Sequence, residues 1–174
     1  MRYVKLRTNM GDIVLELNGE AAPLTVDNFI KYVEEGHYDG TLFHRVIAGF
    51  MVQGGGLKTD MKEKGGQREP IRNEAGNGLK NIRYSLAMAR TGDPHSATAQ
   101  FFINTKDNDF LNFSAETVQG WGYAVFGRVV EGLDVVDRIE NLATTSRAYH
   151  DDVPEENVVI EKAELLEDRR PPVS

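Results

Sequence analysis

Short segments in which apolar and polar residues alternate recur along the chain, and turn residues, many of them glycine, separate these segments. Alternation with a period of two is typical of strands that bury one face. Residues 3–8 and 12–17 form the clearest pair, and the NMGD turn between them predicts an antiparallel hairpin. Further strands are predicted at residues 44–47, 50–53, 85–89, 101–104, 124–130 and 158–166. The pattern predicts a mainly β protein, and it leaves a closed barrel and a sandwich equally open.

Two segments follow the helical period instead. The first opens at Pro23, with Thr25 as its predicted cap and Gly36 as its predicted end, and its apolar stripe consists of Val26, Phe29, Ile30 and Val33. The second covers residues 132–142, with an inward face of Val135, Val136, Ile139 and Leu142. Such stripes are far more often core than a binding face. Residues 54–80 and 107–123 lack periodicity, so we predict long loops there.

Length, charge and cysteine content limit the classes of protein to consider. We predict one domain over residues 1–168 and a disordered tail at residues 169–174. The chain of 174 residues has no cysteine, which excludes a disulfide and a thiolate metal site, and its net charge of −7 argues against nucleic acid or an anionic membrane as a partner. No apolar run approaches the about 20 residues of a membrane span, and the start of the chain does not resemble a signal peptide. We therefore expect a cytoplasmic protein.

The stretch FHRVIAGFMVQGGG, residues 43–56, sets the permanently charged Arg45 among Phe43, Phe50 and Met51. Arginine is rarely buried in an apolar segment unless it is paired. On a strand, Arg45 would point away from His44, because successive side chains alternate. These residues alone leave two interpretations open. Arg45 can be a surface residue that forms an ion pair, and its apolar neighbours can be ordinary core residues.

Conventional catalytic sets are missing from the sequence. Asp93, His95 and Ser96 are close in sequence, but a triad is built from separated segments, and neither a GxSxG elbow nor an HExxH metal spacing occurs. The glycine run at residues 54–56 lacks the GK[ST] of a phosphate-binding loop, so backbone freedom at a sharp turn is the favoured interpretation. A hydrolase, a metal site and a phosphate site are therefore not expected.

Two blocks together carry a specific resemblance. FHRVIAGFMVQGGG at residues 43–56 and SLAMARTGDPHSATAQFFINT at residues 85–105 resemble the two active-site stretches of the cyclophilins, the cyclosporin-binding family of peptidyl-prolyl cis-trans isomerases. They occur in the family's order, and the resemblance extends from about Val4 to Leu166. It implies a closed eight-stranded antiparallel β-barrel with a helix closing each end. It also implies isomerisation of X-Pro bonds without a cofactor or metal.

The resemblance also assigns roles to individual residues. Arg45 matches the catalytic arginine of the family. The proline pocket is matched by Phe50, Met51, Phe102 and Leu111. Gln53 and Gln100 match polar residues that orient the arginine and the substrate carbonyl. Ala89 and Arg90 match a strand edge that pairs with the substrate residues preceding proline, which is a form of strand addition.

Three positions depart from the eukaryotic pattern and look like the bacterial branch. Phe110 stands where that pattern has Trp, so an indole N–H donor is lost and we predict weak binding of a cyclosporin-like ligand. Tyr123 stands in place of His, and Arg90 replaces Asn beside the substrate residues. Trp121 does not align with the family's cyclosporin-contacting Trp, and we predict that it packs the loop.

The function implied is a monomeric enzyme acting on proline-containing peptides and on unfolded or partly folded proteins. The competing hypothesis is a non-catalytic proline-peptide-binding module or chaperone. Retention of Arg45 together with Gln53 and Gln100 argues against it, because a binder without turnover could lose the donor and keep its aromatic residues.

Overall fold

The computed structural model describes residues 1–166. Two α-helices lie within this part of the chain, α1 (Pro23–Glu34) and α2 (Leu133–Glu140). Short 3₁₀ turns occur at Ala75–Asn77 and Asp109–Leu111. The strands are β1 (Arg2–Thr8), β2 (Gly11–Leu17), β3 (Thr41–Leu42), β4 (Arg45–Ile47), β5 (Met51–Gly54), β6 (Ser85–Met88), β7 (Phe101–Asn104), β8 (Val125–Glu131), β9 (Thr144–Arg147), β10 (His150–Pro154) and β11 (Val159–Leu166).

Within residues 1–166, nine strands form one antiparallel sheet in the order β3-β11-β1-β2-β8-β6-β7-β5-β4. The strands at its two ends, β3 and β4, are separated in the chain only by residues 43 and 44. The sheet therefore curls until its ends meet at this link. The mainly β, barrel-like prediction is confirmed, but a closed eight-stranded barrel is matched only roughly, because a chain link joins β3 to β4 in place of a continuous ladder.

Helix α1 begins as the sequence predicts, with Pro23 in the first turn, but the prediction that Thr25 caps it is wrong. Thr25 lies inside the helix, and its amide and hydroxyl both donate to Glu74 Oε1 at 2.7 Å. A carboxylate from a distant loop thus satisfies the free N–H groups of the first turn. The predicted end at Gly36 agrees with the structure, since this glycine has φ of +73° directly after the helix.

Two elements escaped the sequence pattern. The short strand β3 was not predicted, and neither was the hairpin of β9 and β10, which forms a separate two-stranded sheet. The predicted loops at residues 54–80 and 107–123 are irregular apart from isolated bridges and the 3₁₀ turns. The predicted disordered tail at residues 169–174 lies outside the described residues.

Strands β5, β6 and β7 and the start of β8 bury side chains on both of their faces. On the inner face, both helices and all the long strands contribute to one core, in which Phe29 of α1 lies 5.5 Å from Phe101 and 5.2 Å from Phe126 between ring centroids. On the opposite face lies a smaller group, here called the outer cluster, formed by Met51, Ala87, Phe102, Leu111 and Val125. The candidate site lies on this second face.

Candidate active site

Three neighbouring strands bring the predicted polar and apolar site residues together. In the ladder, Arg45 of β4 lies opposite Gln53 of β5, and Gln53 lies opposite Phe102 of β7. Val46 packs in the inner core and Ile47 against the outer cluster, so the alternation directs Arg45 to the outer face, as the strand pattern predicts.

A chain of amides holds the arginine. Arg45 Nη1 donates to Gln53 Oε1 at 3.3 Å, and Gln53 Nε2 donates to Gln100 Oε1 at 3.0 Å. Gln100 in turn lies against Gly56, where a Cβ atom would stand only 2.3 Å from its Nε2. The guanidinium is exposed, so its orientation depends on this chain and its remaining N–H groups are available to a ligand.

Apolar side chains form the floor of a cleft beside Arg45. Met51, Phe102 and Leu111 are buried there, and Phe50 and Tyr123 are half-buried at its sides. The rings of Phe102 and Tyr123 meet edge to face with centroids 5.7 Å apart. A small apolar ring could pack on this floor, while Arg45 and Arg90 supply the charges among the lining residues.

Buried amides anchor the loop that completes the cleft, and the sequence reasoning missed them. Asn108 Nδ2 donates to the Phe50 carbonyl at 2.9 Å and to Asn104 Oδ1 at 2.8 Å. Asn81 Nδ2 donates to the carbonyls of Leu111 and Tyr123. The available signal was the recurrence of Asn at strand ends and loop starts, which is also typical of ordinary turns.

At the other side of the cleft, Arg90 is fixed by its own contacts. Its Nε donates to the Gly122 carbonyl at 3.1 Å and its Nη1 to the Thr91 carbonyl at 2.9 Å. Its guanidinium carbon lies 4.4 Å from the centre of the Tyr123 ring, which is a cation–π contact. Ala89 uses its amide to bond the Gln100 carbonyl at 3.0 Å.

Nine of the eleven predicted site residues line one cleft: Arg45, Phe50, Met51, Gln53, Ala89, Arg90, Phe102, Leu111 and Tyr123. Gln100 does not line this cleft, but it is joined to it by its side chain through Gln53 and by its carbonyl through the Ala89 amide. Phe110 projects at the rim, 74% exposed, and its ring is stacked on Phe50 with centroids 5.7 Å apart. The structure thus brings ten of these residues into one connected unit and leaves Phe110 at its edge.

The residues that sequence reasoning set aside are occupied elsewhere. His95 Nδ1 accepts the Asn73 amide, and Ser96 donates to the Asp93 carbonyl, so these side chains do not form a triad. Trp121 packs against the rings of His95 and Phe113, in agreement with the predicted role in the loop. Within residues 1–166 there is no group of His, Asp or Glu that could hold a metal ion, and no helix there has the length and apolar character of a membrane span.

His44 is buried next to Arg45 in sequence but faces a different part of the molecule. Its ring lies 5.8 Å from that of His150 in the β9–β10 hairpin. Burial, together with the charges of His150 and Arg45, lowers the pKa of His44 to about 4. The imidazole is therefore neutral near pH 7, which fits a packed structural residue.

Comparison with known proteins identifies one family. The family model described as cyclophilin type peptidyl-prolyl cis-trans isomerase/CLD matches residues 3–165. A peptidyl-prolyl cis-trans isomerase of Streptomyces antibioticus is 61% identical over 95% of this chain and 99% of its own. Peptidyl-prolyl cis-trans isomerase B of Escherichia coli is 59% identical over 94% of this chain and 99% of its own.

A solved structure supports the same relationship at lower identity. A cyclophilin-type isomerase of Cryptosporidium parvum, crystallised in the presence of the dipeptide Ala-Pro, matches with a TM-score of 0.77 and 26% identity, and covers 95% of this chain and 99% of that one. Because the family model spans nearly all of the described residues and close bacterial relatives carry the same name, the chain belongs to the cyclophilin-type peptidyl-prolyl cis-trans isomerases.

Proposed function

We propose that Arg45 and the apolar cleft beside it accelerate cis–trans isomerisation of peptide bonds that precede proline. The observation that carries this proposal is the position of the guanidinium. It is held through Gln53 at the rim of a cleft floored by Met51 and Phe102, with N–H groups free to act.

The chemistry needs no nucleophile, cofactor or metal. Amide resonance sets a barrier of about 18–20 kcal/mol to rotation. A donor directed at the prolyl nitrogen favours the twisted, pyramidal form, in which the nitrogen lone pair is no longer delocalised. Such a donor accelerates rotation only if it binds the twisted form better than both planar forms. An arginine suits this role, because it stays charged and holds several N–H groups in a fixed plane.

The remaining residues receive supporting roles in the proposal. Phe50, Met51, Phe102 and Leu111 grip the proline ring, with Tyr123 and Phe110 at the sides. Gln53 and Gln100 orient Arg45 through the amide chain. Ala89 and Arg90 present a strand edge to the peptide upstream of proline. A bound peptide would also cover the guanidinium and strengthen its electrostatic effect by excluding water.

Family membership and the relative crystallised with Ala-Pro support binding of proline-containing peptides. We extend this to unfolded and partly folded proteins as substrates of a monomeric enzyme. We further propose weak binding of a cyclosporin-like ligand, since Phe110 offers no indole N–H. Nucleic acid and membranes are not expected as partners of a chain with a net charge of −7. The cytoplasmic location stays a prediction, which cell fractionation would test.

The experiment that tests the role of Arg45 measures isomerisation of a proline-containing reporter peptide in the cold, where the uncatalysed step takes minutes. We expect Arg45→Ala to lower kcat/KM by about 10²–10³-fold, the loss typical of a preorganised transition-state donor. Peptide affinity should change little, because the apolar cleft stays intact. Arg128→Ala is the matched control, since Arg128 is an exposed arginine paired with Glu16 on another part of the sheet.

The outcomes separate the two hypotheses. A collapse of turnover with retained peptide binding, seen for Arg45→Ala but not for Arg128→Ala, would support the catalytic role. A wild-type protein that binds the peptide and leaves the rate at background would favour the non-catalytic binding module. Turnover that survives Arg45→Ala would contradict the assignment of the donor.

A further inference from the structure

A second cleft opens beside the proline cleft. It is lined by Gln53, Ala89, Arg90, Thr91, Ser96, Thr98 and Gln100. Gln53, Ala89 and Arg90 line both clefts. An extended peptide with proline in the first cleft could therefore place a neighbouring side chain in the second, because Ala89 and Arg90 border both.

Among the residues that line the second cleft, Arg90 carries the only charge. Within residues 1–166 no carboxylate lies within ion-pair distance of it, and its guanidinium donates to the carbonyls of Gly122 and Thr91. These bonds and the contact with the Tyr123 ring fix the plane of the guanidinium. A guanidinium offers five N–H groups, so some of them stay available for a ligand.

The other side chains of the second cleft are hydroxyls and amides, which accept or donate without charge. The acidic residue closest in the loop, Asp93, does not line the cleft, and its Oδ1 accepts the His95 amide at 2.9 Å. A negative side chain entering the cleft would thus meet a fixed positive group and neutral donors. A positive side chain would meet the same neutral groups and be repelled by Arg90.

We infer that Arg90 is a specificity-determining residue that makes the enzyme favour substrates with Asp or Glu shortly before the proline. This inference rests on the proposed function, because it uses the same bound peptide. The side chain's carboxylate would receive charge-assisted hydrogen bonds from the free edge of the guanidinium. Proline binding and the donor at Arg45 need not change.

The overall charge of the protein works against this preference. A net charge of −7 repels an acidic peptide at long range. At physiological ionic strength the Debye length is about 8 Å, so most of that repulsion is screened, while a direct contact with Arg90 is screened much less. The preference should therefore appear in the bound complex and weaken at high salt.

The test uses reporter peptides that are identical except for Glu, Gln or Lys at each of the three positions before proline. For wild type we expect kcat/KM for Glu to exceed that for Gln by about three- to tenfold at one of these positions, which is the range for a partly exposed charge pair. Lys at the same position should be the poorest. The Glu-to-Gln ratio should fall when the salt concentration is raised from 20 mM to 500 mM, where the Debye length is only ~4 Å.

Variants are compared by this ratio, because a loss of the Tyr123 contact affects both peptides alike. Arg90→Gln should bring the ratio to about one, Arg90→Lys should keep part of it, and Arg128→Gln should leave it unchanged although it removes the same charge. Uniform turnover of all peptides by wild type, or an equal preference in Arg90→Gln, would overturn the inference alone. Absence of turnover on every peptide would overturn the proposed function as well.

Discussion

The inner core and the outer cluster are built on the same strands, yet one is sealed and the other is open. Phe101 and Phe102 are neighbours on β7, they are 0% and 4% exposed, and they point to opposite faces. Phe101 meets Phe29, Tyr38 and Phe43 edge to face. Phe102 instead floors the cleft. Burial alone therefore does not distinguish an aromatic residue of a sealed core from one at the floor of an open cleft; what covers the residue does.

The covering elements explain the difference. Helix α1 closes the inner core with a regular apolar stripe that includes Phe29 and Val33. The outer cluster is covered by the irregular loop at residues 107–123, which is fixed by amide hydrogen bonds from Asn81 and Asn108 and covers only part of the surface. A cleft therefore remains between this loop and Arg45.

The largest expected effect comes from truncating the two phenylalanines separately. Phe101→Ala should lower the free energy of unfolding by about 3–5 kcal/mol, as expected for a buried aromatic residue whose cavity cannot refill. Phe102→Ala should cost less stability, because water from the cleft can occupy the space, but it should lower kcat/KM at least about tenfold through lost contact with proline. Urea unfolding and the reporter assay measure the two effects.

If Phe101→Ala is too unstable to purify, Phe101→Leu serves as the milder variant, with kcat/KM close to wild type at a temperature where it is folded. Equal losses of turnover in Phe101→Leu and Phe102→Leu would contradict the division into a structural face and a binding face.

The next largest effect concerns His44, the buried sequence neighbour of the exposed Arg45. Because the folded-state pKa of His44 is lowered to about 4 from 6.5, the unfolded chain takes up a proton first as the pH falls. The contribution of neutral His44 to the free energy of unfolding is complete above about pH 6.5 and is lost progressively down to about pH 4. We expect wild type to lose roughly 2–3 kcal/mol more than His44→Phe over this window.

Urea unfolding of both proteins at pH 7, 5.5 and 4.5 measures this difference, and carboxylates that titrate in the same range cancel in the comparison. Parallel loss of stability in wild type and His44→Phe would show that the imidazole is not the group responsible.

Much of the fold followed from alternation, because inner-core residues such as Phe101 and outward residues such as Phe102 obey the period of two. The β9–β10 hairpin did not, since residues 144–154 are largely polar and the hairpin packs on the sheet through tertiary contacts between β10 and β4. The capping of α1 by Glu74 also escaped, because its partner Thr25 lies 49 residues away in the chain. Local patterns do not encode such distant pairs.

The candidate site, like the fold, was predicted only in part from the sequence. Strand alternation places Arg45 on the outer face, but only the resemblance of two sequence blocks to a known family grouped it with Phe102 and Leu111. The anchors Asn81 and Asn108 were missed, because a buried amide and a turn amide look alike in sequence.

A smaller effect tests whether the arginine is positioned from behind. Gly56→Ala would bring a Cβ atom within 2.5 Å of Gln100 Cδ, so that side chain must move and release Gln53 and then Arg45. We expect kcat/KM to fall about three- to tenfold, the range for losing about one hydrogen bond. Gly65→Ala is the matched control in the same loop, because its Cβ would meet nothing within 4 Å. Equal turnover in the two variants would argue that the amide chain does not orient the guanidinium.

The smallest expected effect concerns Phe110 at the rim of the cleft. Phe110 is largely exposed and stacks on Phe50, so Phe110→Trp should change the free energy of unfolding by less than about 0.5 kcal/mol and peptide turnover by no more than about twofold. The added indole N–H should tighten cyclosporin binding about fivefold, as one net hydrogen bond would. Titration calorimetry measures this, with Phe110→Leu as the control that changes the contact without adding a donor. If Leu tightened binding as much as Trp, apolar contact rather than the donor would govern the rim. Shape and apolar contact would then govern ligand binding at the open face, as they govern packing in the inner core.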